Sequence, residues 1–277
     1  MKGFTINFFK ELERIIETTS SEEKIERFIR FYELFQTKKL LFVEDFVPKK
    51  FENPSYSEIC TIVAPQNVPK RTNLTTKEGQ INLLHAVAHI EYSAIDLALD
   101  AAYRFGNMPY EYYVDWLEVA MDEIRHFLML ESLLDALGAK YGDIEVHNAL
   151  FEASYKTQTL LERMAVVPRY LEANGLDATP MIVKKLKKLP KNEMLERIVQ
   201  NLEVILAEEV SHVKKGDIWF KYACEEEGVD ENIYFEIIQK YYPRGFLRPN
   251  DLNIEARKEA GFSCSELKVM AKKEVCI

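Results

Sequence analysis

Four stretches of the chain repeat apolar residues at the three- and four-residue intervals of an α-helix, and each interrupts its stripe with carboxylates. In the first, Leu84, Val87, Ala88, Ala94, Ile95, Ala98 and Phe105 share a face whose one charged member is Glu91. The second runs through Trp116, Val119, Ala120, Phe127, Leu130, Leu133, Leu134 and Leu137, with Glu123 and His126 inside the stripe. Another repeats that break, placing Glu209 and His212 among Ile198, Leu202, Ile205, Leu206, Val213, Trp219 and Phe220. The remaining stretch, Thr159 to Pro180, offers Glu162 and Glu172. Met164, Ala165 and Pro168 precede Glu172 at helical spacing, whereas Glu162 shares a face with Gln158 and Arg169, so Glu172 is the inward candidate and Glu162 the solvated one. Pro168 has no amide proton for the Met164 carbonyl, and the helix is expected to kink or bulge there.

Turn and cap residues set the expected boundaries. Thr75-x-x-Glu78 has the form of a capping box for the first main helix, which should stop near Gly106. Pro109 suits the first turn of the second, and Gly138 follows its end. A third long helix is expected over about 148–174, closed by Gly175, with Thr179-Pro180 opening a short lysine-rich helix that Pro190 interrupts. The fourth should reach Glu227 before Gly228. Residues 4–45 read as two amphipathic helices, and 46–74, rich in Pro and Asn, as an extended wrap. Short helices follow from 229 on, one opened by Ser263-x-x-Glu266. The expected architecture is all-α: 1–74 as N-terminal helices and wrap, 75–228 as a four-helix bundle, and 229–277 as a helical extension.

Glu123-Ile124-Arg125-His126 and Glu209-Val210-Ser211-His212 place a Glu and a His one turn apart on one face, so a carboxylate oxygen and an imidazole nitrogen can bind the same ion. Chain order is a single Glu91, the Glu123/His126 pair, a single Glu172, then the Glu209/His212 pair. That is one ligand set per helical hairpin, twice, as in a dimetal carboxylate bundle. Four carboxylates and two divalent cations cancel, whereas an empty cluster would have to take up protons. The mixed oxygen and nitrogen set suits iron, with manganese or a mixed Fe/Mn pair as alternatives.

One Glu-x-x-His pair alone is a weak signal; two on apolar stripes, with two further inward Glu residues in order, are a much stronger one. His85 and His89 stand four apart without an evident third ligand and are expected in the core. His147 is expected to cap the next helix, to gate the site or simply to lie on the surface. Tyr92, Tyr103, Tyr113, Tyr155 and Tyr170 could relay electrons, but among 14 tyrosines a structural role is the expectation.

The net charge of −9 argues against broad binding to nucleic acid or anionic membranes. Lys184, Lys185, Lys187, Lys188 and Lys191 form a local basic run, expected to be a solvated helix face, with docking of RNA phosphates left open. Cys60, Cys224, Cys264 and Cys276 form no Cys-x-x-Cys pair, which implies reduced thiols and a cytoplasmic setting. The opening MKGFTINFFKELERIIE reads as an amphipathic helix and not a signal peptide, and no run of apolar residues is long enough to span a membrane.

The stretches HAVAHIEYSAIDLALDA, DEIRHFLMLESLLDALGAKYGD, RMAVVPRYLEANGLDATP, EEVSHVKKGDIWF and NIEARKEAGF resemble, in order, the ferritin-like proteins of the domain-of-unknown-function 455 family, distant relatives of a tRNA hydroxylase. The resemblance covers roughly 65–262 and implies Glu91, Glu123, His126, Glu172, Glu209 and His212 as metal ligands. Asp122 to His126 is also similar to the Asp-Glu-x-Arg-His string of bacterial multicomponent monooxygenases. That likeness implies Asp122 behind His212 and Glu208 behind His126, although Glu208 and Ser211 depart from the pattern. The expected function is a dimetal oxidoreductase or hydroxylase acting with O₂ on a small molecule or a modified nucleoside, its electron donor unidentified. The alternatives are an iron or manganese storage or delivery protein and a metal-free scaffold.

Overall fold

The computed structural model describes residues 6–43, 46–246 and 251–276. Positions 4, 5, 44 and 45 of the expected N-terminal helical segment, the first five residues of the opening helix, and 247–250 and 277 of the C-terminal extension lie outside the described residues. The chain is all-α, and it divides into two compact units, Met1–Tyr155 and Lys156–Ile277. No helix among the described residues is long and apolar enough to cross a membrane.

The first unit is built on α3 (Lys77–Arg104) and α4 (Tyr110–Ala136), which pack through Leu84, Ala88, Ile95 and Ala98 on one side and Ala120, Phe127, Leu130 and Leu134 on the other, all buried. The cap of α3 is Thr76, whose hydroxyl accepts the Gly79 N–H at 3.1 Å; the expected Thr75 instead donates to Asn73 Oδ1 at 2.6 Å. Gly79 is required, since a Cβ there would lie 2.2 Å from the Asn73 carbonyl oxygen. Pro109 takes the N-cap position of α4 and not its first turn, and Gly138 follows in the left-handed region at φ +69°.

The two amphipathic N-terminal helices form as expected: α1 (Phe8–Glu17), capped by Asn7, and α2 (Ser21–Gln36), capped by Ser20. A short parallel pairing of β1 (Ile6–Asn7) with β2 (Leu40–Leu41), which the pattern did not predict, brackets them. Phe8 stacks on Phe42 at 4.2 Å and meets Tyr113 edge-on at 5.2 Å, so the helices seal one end of the α3–α4 pair with aromatic packing. Lys24 is fully buried: its Nζ donates to the Ile16 carbonyl at 3.1 Å and to Asp96, which also accepts the Ser55 hydroxyl at 2.6 Å. The 46–74 wrap is tied to α3 where Tyr103 receives the Lys49 N–H at 3.0 Å and donates to Glu13 at 2.6 Å.

α5 (Ala149–Lys156) follows, all but its last residue in the first unit. The long third helix expected over 148–174 is instead broken into α5, α6 (Leu160–Val166), a π-helical turn over Val167–Glu172, and α7 (Ala173–Leu186). The wide turn begins where Pro168 removes a helical donor, as the sequence predicts. Gly175 does not close the helix, and Thr179-Pro180 does not open a new one; α7 runs through both. The Leu176 carbonyl that Pro180 deprives of its donor is taken by Asn253 Nδ2 at 3.3 Å, which lets the helix continue.

α8 (Glu193–Glu227) ends at the predicted residue, with Gly228 in the left-handed region at φ +66°. α9 (Ile233–Tyr241), α10 (Ile254–Glu259) and α11 (Cys264–Ala271) follow, and Ser263 and Glu266 form the predicted capping box. Cys264 and Cys276 form a disulfide, correcting the expectation of four reduced thiols; the chain after α11 folds back to bring the pair together, while Cys60 and Cys224 are buried free thiols.

His85 and His89 lie in the core. His89 accepts the Tyr141 hydroxyl at Nδ1 (3.0 Å) and donates from Nε2 to the His147 carbonyl (2.9 Å), while His85 Nε2 accepts the Gly142 N–H (2.9 Å). Burial lowers both pKa values to about 4, against about 6.5 in an unfolded chain. As the pH falls the unfolded chain takes up these protons first, so this contribution is fully present above about pH 6.5 and is lost on descending to about 4. Urea midpoints should decline across that window and decline less in His85→Gln; parallel profiles for the two proteins would contradict the assignment.

Candidate metal centre

Glu91 projects from α3 and Glu123 and His126 from α4, and all three are buried: 4%, 1% and 0% exposed. His126 Nδ1 lies 3.1 Å from Glu91 Oε2 and 3.5 Å from Glu123 Oε2, and candidate ligand atoms of the three fall within 4.8 Å of one another. The stripes explain the gathering, because the apolar neighbours that bury these faces carry the three polar groups inward with them. Burial by itself lowers the His126 pKa, but hydrogen bonds and charge from Glu123 and then Glu91 outweigh it and push the value up to about 11. The pocket thus draws a positive charge onto its histidine, and a cation is what its donor set is chemically fitted to hold.

In the second unit, α8 carries the other pair. His212 is fully buried, and its Nδ1 stands 3.4 Å from Glu209 Oε1, close to the 3.5 Å of the Glu123/His126 pair. Glu172 is the last residue of the π-helical turn and is half-buried. Glu162, the other candidate, accepts Lys240 Nζ at 2.6 Å and the Gln158 N–H at 3.1 Å; burial alone would raise its pKa, but these partners bring it down. Asp122 is half-buried on α4 and accepts Arg125 Nη2 at 2.8 Å; Glu208 is half-buried on α8.

Sequence reasoning missed what holds the π turn. Arg169, expected on a solvated face with Glu162, is fully buried, because the turn's wider register rotates it inward. Its guanidinium lies 4.6 Å from each of the Phe220, Tyr234 and Phe262 rings, and its Nη2 reaches Asp217 at 2.8 Å and Glu266 at 2.9 Å. One residue earlier, Pro168 packs so closely on α8 that a Cβ at Gly216 would lie 2.2 Å from its own. Just beyond Glu172, Arg257 donates to the Ala173 carbonyl at 3.1 Å and forks onto Asp177. Glu172 is therefore braced from both sides along the chain. The signals available were Pro168 inside an apolar stripe and a glycine one turn after His212.

His147 Nδ1 accepts the Ala149 N–H at 3.4 Å, in keeping with the capping alternative. Tyr92, Tyr103 and Tyr113 are core residues and Tyr155 bonds Glu52, while Tyr170 packs on Tyr242. The lysine run is exposed, with Lys187 paired to Glu203 at 2.5 Å.

A family model described as a protein of unknown function (DUF455) matches residues 17–268. The chain belongs to the DUF455 family. A relative, an uncharacterized protein of Haemophilus influenzae, is 36% identical over 280 residues, covering 96% of this chain and 94% of that protein. No solved structure matches.

Arg169→Met should destabilise the second unit by about 3 kcal/mol, because it strips the buried Asp217 and Glu266 of their shared cation. Urea denaturation followed by circular dichroism measures this, and a loss below about 1 kcal/mol would show the guanidinium to be incidental.

Proposed function

We propose that this DUF455 protein is a ferritin-like dimetal carboxylate protein in which Glu91, Glu123 and His126 form one half-site and Glu172, Glu209 and His212 the other. The observation that carries the reading is the burial of Glu91, Glu123 and His126 within bonding reach of one ion, in a setting that already draws positive charge. The matching geometry of the two Glu-x-x-His pairs supports a second metal held in the same way. Iron is the preferred metal, with manganese or a mixed pair next. Asp122 and Glu208 act behind the imidazoles, fixing which nitrogen faces the metals.

Iron held by these residues would supply the electrons for dioxygen chemistry, so the reading is an oxidoreductase acting on a small molecule or a modified nucleoside. The chain's own part is to hold six ligands on stiff helices and to keep bulk water from the reacting ions. Apolar neighbours such as Phe127 and Ile124 provide that exclusion on α4.

Protein purified from its own host should carry about two equivalents of iron and, once reduced, show a transient absorbance on exposure to O₂. Glu123→Ala and His212→Ala should each lose full loading, whereas Glu162→Ala should keep it. Normal occupancy in the first two variants would overturn the ligand assignment. Full iron loading with no O₂ consumption would leave a metal-binding protein and remove the oxidoreductase.

A further inference from the structure

A cavity of about 410 Å³ opens in the first unit, walled by the wrap, the early turns of α3 and the segment between α4 and α5. Its lining carries two cations, Lys70 and Arg71, and three imidazoles, against a single carboxylate. Lys70 and Arg71 enter it from the wrap, and among the described residues neither forms an ion pair. His85 is 1% exposed and lines the same space. Because its Nε2 accepts the Gly142 N–H and the ring is neutral, its proton sits on Nδ1, and among the described residues no protein acceptor takes it. His147 accepts at Nδ1 from Ala149, which leaves Nε2 as its donor, and Arg71 stands near enough that its charge adds to burial in lowering the pKa of that ring.

Glu145 is the one carboxylate on the lining, so Lys70 and Arg71 together leave an excess of positive charge. Ile90 and Leu150 supply apolar wall. A neutral N–H without an acceptor, beside two cations that form no ion pair among the described residues, suits an anion. The volume is that of a small-molecule site, with few polar groups set in apolar walls.

We propose that this cavity binds a small molecule through an oxyanion, carboxylate or phosphate, held by Arg71, His85 and His147, with its apolar body against Ile90 and Leu150. None of these residues is a proposed metal ligand, so the site stands independently of the metal chemistry. Calorimetric titration of the full chain with phenyl phosphate, benzoate and uncharged benzyl alcohol tests it. At least one anion should bind saturably at millimolar concentrations, and Arg71→Ala, a change at an exposed position, should weaken it about tenfold. His147→Ala should weaken it as well. Phenyl phosphate binding alone would assign a phosphorylated ligand and benzoate alone a carboxylate. Failure of both anions, equal binding of benzyl alcohol, or unaltered affinity in Arg71→Ala would overturn the proposal.

Discussion

Buried negative charge must be compensated where it sits, and the α3–α4 pair places two carboxylates and an imidazole in a region closed to water. Nothing in hydrophobic packing favours such an arrangement. Glu91 and Glu123 occupy positions in which an alanine or leucine would extend the stripe, so their presence there calls for a partner of opposite sign. In the chain alone, a proton on His126 plays that part, which is why its pKa is driven up to about 11 against the opposing effect of burial. A divalent ion would play it with more charge and with directional bonds to the groups around it.

The second unit shows how much of the fold serves one carboxylate. Pro168 opens the π-helical turn, Gly216 lets that turn press against α8, and Arg169 anchors it through two carboxylates and three rings. Arg257 fixes the residue after Glu172. The C-terminal helices α10 and α11 supply Arg257 and Glu266, so a segment that looks like decoration in the sequence is part of the support for a candidate ligand. A wide turn costs regular hydrogen bonding, and it persists here because surrounding contacts over-determine it.

Long, strongly periodic segments were legible in the sequence. The stripes through Leu84 to Phe105, Trp116 to Leu137 and Ile198 to Phe220 run along helices α3, α4 and α8, with Phe105 and Leu137 as C-caps, and the bulge at Pro168 follows from one missing amide proton. Errors arose where a distant residue settles a local question. Gly175 and Pro180 are sound stop signals until Asn253 takes the freed Leu176 carbonyl, and Arg169 looks solvated only if the helix keeps its ordinary register. The Cys264–Cys276 pairing likewise depends on a chain reversal that spacing does not encode. Of the candidate ligands, the burial of Glu91, Glu123 and His126 follows from periodicity, whereas the ion pair of Glu162 with Lys240 depends on a distant residue that periodicity does not reveal.

The proposed role of the buried carboxylates and histidines is to hold a pair of metal ions. Anomalous diffraction at the iron edge, from crystals of protein loaded with iron in its own host, addresses it most directly. Two peaks about 3.5–4 Å apart, ringed by Glu91, Glu123, His126, Glu172, Glu209 and His212, are the expected result. Density without any metal there, with His126 bonded to Glu91 and Glu123 as an imidazolium in fully loaded preparations, would contradict it.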